Sequence, residues 1–156
     1  MLYRLYQPGD FAQLYAVEEI CFDPPFRFSR AYMRQLVESA TSATWIVEEE
    51  PGLAGFAIVD WGKEPESGAS LAYVETVEVA PQHRGQGIGS ELMRRVENSA
   101  RSADAASIWL HVDVENSAAI RMYESRGYKR KGREEHFYAR HRASFIYAKP
   151  LSRSAS

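Results

Sequence analysis

The chain has 156 residues, a formal net charge of −2, and 45% hydrophobic and 26% charged residues. That length fits one domain with one core, and the near-neutral balance gives no global pull toward nucleic acid or a membrane. The single cysteine, Cys21, excludes an internal disulfide and points to a cytoplasmic protein; "MLYRLYQPGD" lacks a signal-peptide h-region, and no apolar run nears the ~20 residues of a membrane helix.

"LYRLYQ" alternates as a short strand, and "PGD" follows, with Asp10 able to cap a helix. Leu14, Val17 and Cys21 recur at helical spacing across residues 11–21. The prolines of "FDPPFRF" end that helix, and Ser29 caps a second one reaching about Glu38. "TWIVEEE" and "AGFAIVDW" read as strands joined by a hairpin turn at "PGL", followed by a polar loop over 62–70. "LAYVETVEVA" is the strongest strand of the chain, with Tyr73 and Glu75 on one parity and Val74 and Thr76 on the other. A glycine turn leads to a helix ending near Ser102, with Ile88, Leu92 and Val96 on one face. "SIWLHV" is a strand, and "NSAAIRMYESR" a helix capped by Asn116 and ended by Gly127. "YKRKGREEHFYA" and "ASFIYAKPL" close the chain as strands, and the tail "SRSAS" is expected to be unstructured. The order predicts a mixed α/β sheet around one core, undivided by any linker over residues 1–151.

The turn "QHRGQGIGSELM" has the makings of an anion site. The first N–H groups of a helix lack intrahelical partners, the helix dipole favours negative charge there, and glycines let backbone approach a phosphate. Gly85, Gly87 and Gly89 supply that approach, and Arg84 adds positive charge. A Walker loop is excluded because "GIGSEL" has no lysine, and a Rossmann loop because this turn follows a late strand. A tight turn that holds no ligand remains the alternative for the glycines taken alone.

With its surroundings, the turn resembles motif A of the GNAT superfamily of acetyl-coenzyme A-dependent N-acetyltransferases, Arg-x-x-Gly-x-Gly, read here as Arg84, Gly87 and Gly89. "LHVDVENSAAIRMYESRGY" is similar to motif B of the same family, and the helix–proline–helix entry and two closing strands also match. The resemblance covers nearly the whole chain to about Leu151. It implies a central, mostly antiparallel sheet with splayed strands and about four flanking helices. It further implies that backbone of Val77, Glu78 and Val79 pairs with the pantetheine arm, that amides from Gly85 through Gln86, Gly87, Ile88 and Gly89 to Ser90 hold the pyrophosphate, and that Asn116 meets the arm from the other side.

For catalysis, the resemblance places the general acid at Tyr123, in "RMYESRGY". A phenol is neutral at pH 7 and can donate to sulfur. The base has two candidates. RimI-like enzymes, which acetylate the N-terminus of a ribosomal protein, carry Leu-Glu-Val where this chain has "LHV", so His111 stands in place of the glutamate. The catalytic subunit of eukaryotic NatE has Leu-His-Val there and a Tyr-Ile-Met-Thr strand to which "YVET" is similar. The resemblance therefore implies that Tyr73 and His111 face each other across the splay with an ordered water between them. Glu75 is the alternative base, with Glu78 and Asp113 expected on other faces. A weak base suits an α-amine of pKa ~8 better than a lysine of ~10.4.

At the acceptor end, "CFDPPFRFS" and the aromatic pair Phe137 and Tyr138 resemble the peptide-gripping loops of N-terminal acetyltransferases, giving Phe26, Phe28, Glu75 and Tyr138 as substrate-binding candidates. Cys21 lies on an apolar helical face with no base near it in sequence and reads as structural. The Lys- and Arg-rich stretch 121–142 is a solvated face, or a contact for the 3′-phosphate of coenzyme A or an acidic partner. The activity expected is acetyl transfer to a protein N-terminal amine by direct attack in a ternary complex. A small-molecule amine acetyltransferase and a non-catalytic coenzyme A-binding module are the alternatives. No metal, nucleic acid or membrane partner is expected, and a monomer and a homodimer both remain open.

Overall fold

The computed structural model describes residues 1–138 and 142–152, with backbone alone at 136–138. The elements run β1 (Leu2–Leu5), α1 (Phe11–Cys21), α2 (Arg30–Glu38), β2 (Ser42–Glu49), β3 (Gly52–Lys63), β4 (Ser70–Val79), α3 (Ile88–Ser102), β5 (Ser107–Asp113), α4 (Ser117–Ser125), β6 (Lys129–Tyr138) and β7 (Arg142–Pro150). The order matches the expectation from sequence. The tail 153–156 lies outside the described residues. β3 and β4 reach further into the polar stretch than their apolar patterning suggests: Lys63 pairs with Ser70, because the ladder continues past the last buried side chain.

Ser29 caps α2 by accepting from the Tyr32 amide at 3.1 Å, as its sequence position implies. Gly127, at φ +92°, follows α4 in the left-handed region, where glycine carries no Cβ penalty. The seven strands form one sheet in the order β1-β2-β3-β4-β5-β7-β6. Every pair is antiparallel except β4 with β5, which α3 connects as a crossover. Apolar side chains gather in two clusters, one on each face. Leu92, Met93, Val96 and Ala100 of α3 pack on Ala57, Val59, Ala72, Val74 and Leu110. On the other face Leu14 of α1 and Met33 of α2 pack on Ile46, Phe56 and Ile58. β3, covered on both sides, is continuously buried from Leu53 to Val59, which explains its unbroken apolar run.

Two irregularities shape the middle of the sheet. β4 pairs with β5 only from Leu71 opposite Ser107 to Val74 opposite Leu110; beyond that the strands part. At the same level β4 carries a bulge, since Val59 pairs with Val74 but Ile58 with Thr76, leaving Glu75 as the extra residue. The bulge corrects the simple alternation read from "YVET". Val74 packs under α3, yet Thr76 and Glu78 turn to the α1 side, where Thr76 Oγ1 donates to Glu78 Oε2 at 2.8 Å and Glu18 of α1 lies against Glu78. Glu78 thus shares the sheet face of Tyr73 and Glu75 instead of the opposite one. Val77 and Val79 pack toward α3. Among the described residues no helix is long and apolar enough to cross a membrane.

Candidate active site

The glycine turn has the geometry of an anion cradle. Gly85 and Gly87 adopt φ of +79° and +80°, and nothing lies within 4 Å of where their Cβ atoms would stand. The first hydrogen bond of α3 runs from the Glu91 amide to the Gly87 carbonyl, so the amides of Ile88, Gly89 and Ser90 have no partner within the helix. A Cβ on Gly89 would meet Met122 Sδ at 3.3 Å, so a side chain there would require the Met122 thioether to give way by a few tenths of an ångström. Arg84 folds back along the strand: its Nε donates to the Val79 carbonyl at 2.9 Å and its Nη2 lies 3.7 Å from Cys21 Sγ. Its charge therefore stands at the end of β4, beside the turn. With β5 diverging after Val74, the β4 edge over Val77, Glu78 and Val79 opens onto the same cleft. Exposed amides at the turn and a strand edge released from β5 suit a diphosphate on an extended, hydrogen-bonding arm.

Asn116 caps α4, its Oδ1 accepting from the Ala119 amide at 3.2 Å. α4 sets Tyr123 in the cluster beneath α3, its ring edge-on to Tyr128 at 5.7 Å between centroids and 7% exposed. Tyr123 thus approaches the splay from the α3 face.

Tyr73 and His111 approach it from the other face. Tyr73 Oη and His111 Nδ1 are 2.6 Å apart. The two side chains face each other as the family resemblance implies, but they touch directly. A water between these atoms is corrected: 2.6 Å is a single hydrogen bond and leaves no room for one. The other ring nitrogen, Nε2, lies 2.7 Å from Glu134 Oε2 of β6.

Glu75 stands close by in a different setting. Burial first, and then the adjacent Asp60 carboxyl, push its carboxyl up to about 8. Tyr32 of α2 donates to Glu75 Oε1 at 3.4 Å, and the Tyr32 ring meets Phe28 edge-on at 5.2 Å. A cavity of about 410 Å³ opens beside these groups, lined by Asp60, Trp61, Lys63, Tyr73, Trp109 and His111 among others.

Phe28 is fixed by its backbone: its amide donates to Glu18 Oε2 at 2.9 Å and its carbonyl accepts from Tyr15 Oη at 2.7 Å. Phe26 carries the Arg142 guanidinium 5.5 Å from its ring centroid, and Arg142 in turn pairs with Asp113 at 2.6 Å and Glu115 at 2.7 Å. The side chains of the aromatic pair Phe137 and Tyr138, the second expected in the acceptor wall, lie outside the described residues. Burial, followed by the charge of Glu78, pushes the Cys21 thiol up to about 11, which agrees with a structural cysteine. Burial, and then the neighbouring Glu18, push the Glu78 carboxyl well above its ordinary value.

Several arginines of the basic stretch 121–142 have partners within the described residues. Arg126 pairs with Glu97 at 2.6 Å, Arg133 with Glu135 at 2.5 Å, and Arg130 stacks on Phe145 at 3.6 Å. Reading the sequence missed Tyr32, Asp60 and Glu134. Asp60 had a faint signal, as the one acid interrupting the apolar run "AGFAIVDW"; Glu134 had none in "KGREEH". Among the described residues no group of three or more His, Cys, Asp or Glu side chains is placed to hold a metal ion.

The sequence model of the acetyltransferase (GNAT) family matches residues 11–128. The chain is 37% identical over 102 residues to streptothricin acetyltransferase of Streptomyces lavendulae, covering 65% of this chain and about half, 52%, of that relative's length. It is 26% identical to an N-alpha-acetyltransferase of Sulfurisphaera tokodaii over 70% of each chain. It is 25% identical to a putative ribosomal protein bS18-alanine N-acetyltransferase of Bacillus subtilis, over 83% of this chain and 81% of that one. Among solved structures, Arabidopsis thaliana NAA60 with a bisubstrate analogue superposes at a TM-score of 0.86 with 22% identity, covering 98% and 99% of the two chains. The ribosomal-protein-S18-alanine N-acetyltransferase of Escherichia coli gives 0.84 with 21% identity, covering 99% and 96%. At these identities the structural likenesses show the fold, a mixed sheet flanked by four helices.

Proposed function

The chain belongs to the GNAT acetyltransferase family and is an acetyltransferase, and from that premise we propose that it moves an acetyl group from acetyl-coenzyme A to the α-amine of a peptide or protein N-terminus by direct attack in a ternary complex. When bound, acetyl-coenzyme A supplies an acetyl group activated as a thioester. The amides of Gly85 to Ser90 would hold its pyrophosphate, the β4 edge from Val77 to Val79 its arm, and Asn116 would meet that arm from α4.

The observation that carries the reading is the Tyr73–His111 contact at the mouth of the splay, 2.6 Å long and linked to a carboxylate behind it. It is a weak-base arrangement, matched to an acceptor already partly neutral near pH 7, as an α-amine of pKa ~8 is. Tyr123, opposite, would carry on its phenol oxygen the proton for the leaving sulfur. Phe26 and Phe28, on the loop between α1 and α2, would bound the first residues of the acceptor, and Tyr138 is a further candidate by its place in the sequence.

A second reading has its own support. The Asp60–Glu75 carboxyl pair beside the indoles of Trp61 and Trp109 suits a small cationic amine, and the Streptomyces relative is named for such a substrate. Thiol release from acetyl-coenzyme A, measured with a peptide library varied at its first residue and beside it a panel of polyamines, aminoglycosides and a streptothricin, decides between them. Turnover with free-α-amine peptides, lost when those peptides are blocked, supports the proposal. Inert peptides with reactive small amines would reassign the acceptor.

A further inference from the structure

His111 is held at both ring nitrogens. Nδ1 meets Tyr73 Oη at 2.6 Å and Nε2 meets Glu134 Oε2 at 2.7 Å, while the imidazole side chain is only 16% exposed. The register explains how Glu134 gets there. His111 of β5 pairs with Ile146 of β7, and Glu134 of β6 pairs with Ser144 of the same strand, so the glutamate extends across β7 to the ring. A carboxylate can only accept. In the neutral ring the proton therefore sits on Nε2, Nδ1 is the acceptor, and the Tyr73 phenol donates to it.

We propose that Glu134 is a positioning residue for the acetyl transfer, fixing the His111 tautomer so that Tyr73 and His111 act as one proton-accepting relay. The inference rests on the reading of Tyr73–His111 as the base. The proton lost by the acceptor nitrogen moves to Tyr73 Oη as the phenol's own proton passes to His111 Nδ1. The ring then carries protons on both nitrogens, and its positive charge is balanced by the Glu134 carboxylate; release of one proton to solvent restores the relay. With the opposite tautomer Nδ1 would hold a hydrogen, the phenol could not donate to it, and the relay would be broken at its first step. Of the other described charged groups, Asp60, Lys63 and Glu64 line the same cavity, Glu75 is paired with Asp60, and β7 presents the apolar Ile146.

The test starts in the free protein. Long-range ¹H–¹⁵N correlation on ¹⁵N-histidine-labelled protein reads the tautomer, with His111 assigned by comparison with the His111→Ala spectrum. The wild type should show the Nε2–H form, and Glu134→Ala should shift the ring toward a mixture of tautomers. In turnover, Glu134→Ala should lower kcat by about 10-fold, less than the ~10²-fold typical of losing a general base outright. KM for acetyl-coenzyme A should not change. Glu134→Gln, which keeps a hydrogen-bond acceptor but no charge, should retain the tautomer and move the rising limb of the pH–kcat profile to lower pH. An Nδ1–H tautomer in the wild type, or a Glu134→Ala protein with unchanged tautomer and kcat, would overturn the proposal while leaving His111 as base. If His111→Ala itself turns over like wild type, the base reading fails and takes this inference with it.

Discussion

Replacing Glu97 with glutamine should cost this fold about a fifth or more of its stability. Glu97 of α3 is buried, 2% exposed at its side chain, and it is the hub of a closed set of donors. Arg126 Nη2 reaches Oε1 at 2.6 Å, while Oε2 accepts from Tyr128 Oη at 2.8 Å, Lys149 Nζ at 3.1 Å and Arg126 Nε at 3.3 Å. Glutamine has the same shape, but its amide offers one oxygen and turns an NH₂ toward groups that are donors themselves. It also leaves two cations, 19% and 13% exposed, without their counter-charge. Breaking a buried pair in this way costs about 3–5 kcal/mol, against a total of roughly 5–15 kcal/mol for a domain. At about 2–4 °C per kcal/mol for this chain length, Tm should fall by about 6–20 °C in a calorimetric melt at pH 7. The pH dependence has a definite sign. Burial raises the Glu97 carboxyl, but the hydrogen bonds from Arg126, Tyr128 and Lys149 outweigh it and hold the group below its ordinary value. A carboxyl depressed in the folded state contributes stability above its unfolded pKa and loses it as pH falls through the folded one. The gap between wild type and Glu97→Gln should therefore close on acidification below about pH 4.5. Removing the exposed Arg94–Glu91 pair by Arg94→Gln is the control and should leave Tm within error. A Glu97→Gln variant that melts within 2 °C of wild type at pH 7, or a gap that widens in acid, would refute the reasoning.

Four further outcomes are expected. Tyr123→Phe keeps the buried ring and its contact with Tyr128, so the packing should be retained while kcat falls by about 10²-fold or more; unchanged turnover would move the acid elsewhere. Gly87→Ala places a Cβ at φ +80° in open space, so strain alone should lower stability by about 1–2 kcal/mol, and isothermal titration should show weakened acetyl-coenzyme A binding; unaltered affinity would exclude the turn from the cofactor site. Gly55→Ala would drive a Cβ onto the Glu78 carbonyl oxygen, with Val79 Cα at 3.2 Å, so β4 must shift; a loss of about 1–3 kcal/mol together with weaker acetyl-coenzyme A binding is expected. Glu75 has the opposite sign to Glu97. Its carboxyl is raised to about 8, so its contribution is present below about pH 4.5 and lost as pH rises toward 8; denaturant midpoints of wild type should fall across that window more than those of Glu75→Gln.

The order of elements and the glycine turn were legible because both are local. Ser29, Asn116 and Gly127 act over three or four residues, and "RGQGIGSEL" encodes its own turn through the two glycines at positive φ. The residues around the base were less legible, because sheet register brings them together. Glu134 reaches His111 only through the pairing of two strands with a third, and the chain separation of 23 residues carries no periodic trace of it. Asp60 meets Glu75 because β3 and β4 run antiparallel with the hairpin closed at Lys63 and Ser70. The bulge was invisible for another reason. "YVETVEV" alternates without fault, and the extra residue shows only when the partner strand is counted against it.

That bulge explains how one strand serves both halves of the site. Up to Val74, β4 is bonded on both edges, to β3 and to β5, and Tyr73 is held beside His111 by that pairing. To open a slot for a cofactor arm, β4 must leave β5 without leaving β3. A regular strand bent away from one neighbour would strain its ladder with the other. Inserting Glu75 absorbs the turn in one residue: the ladder with β3 resumes at Thr76 opposite Ile58, and the edge from Val77 to Val79 faces an open cleft. The same insertion changes which side chains face which layer. Val77 and Val79 join Val74 beneath α3, and Glu75 is left on the side of Tyr73, against Asp60 and Tyr32. An unbulged β4 would have to give up either the apolar contacts of Val77 and Val79 or those of Ala72 and Val74, because a one-residue change of register exchanges the faces of everything beyond it. The divergence of the strands, the position of the carboxyl pair and the packing of the glycine-turn helix are thus consequences of one extra residue.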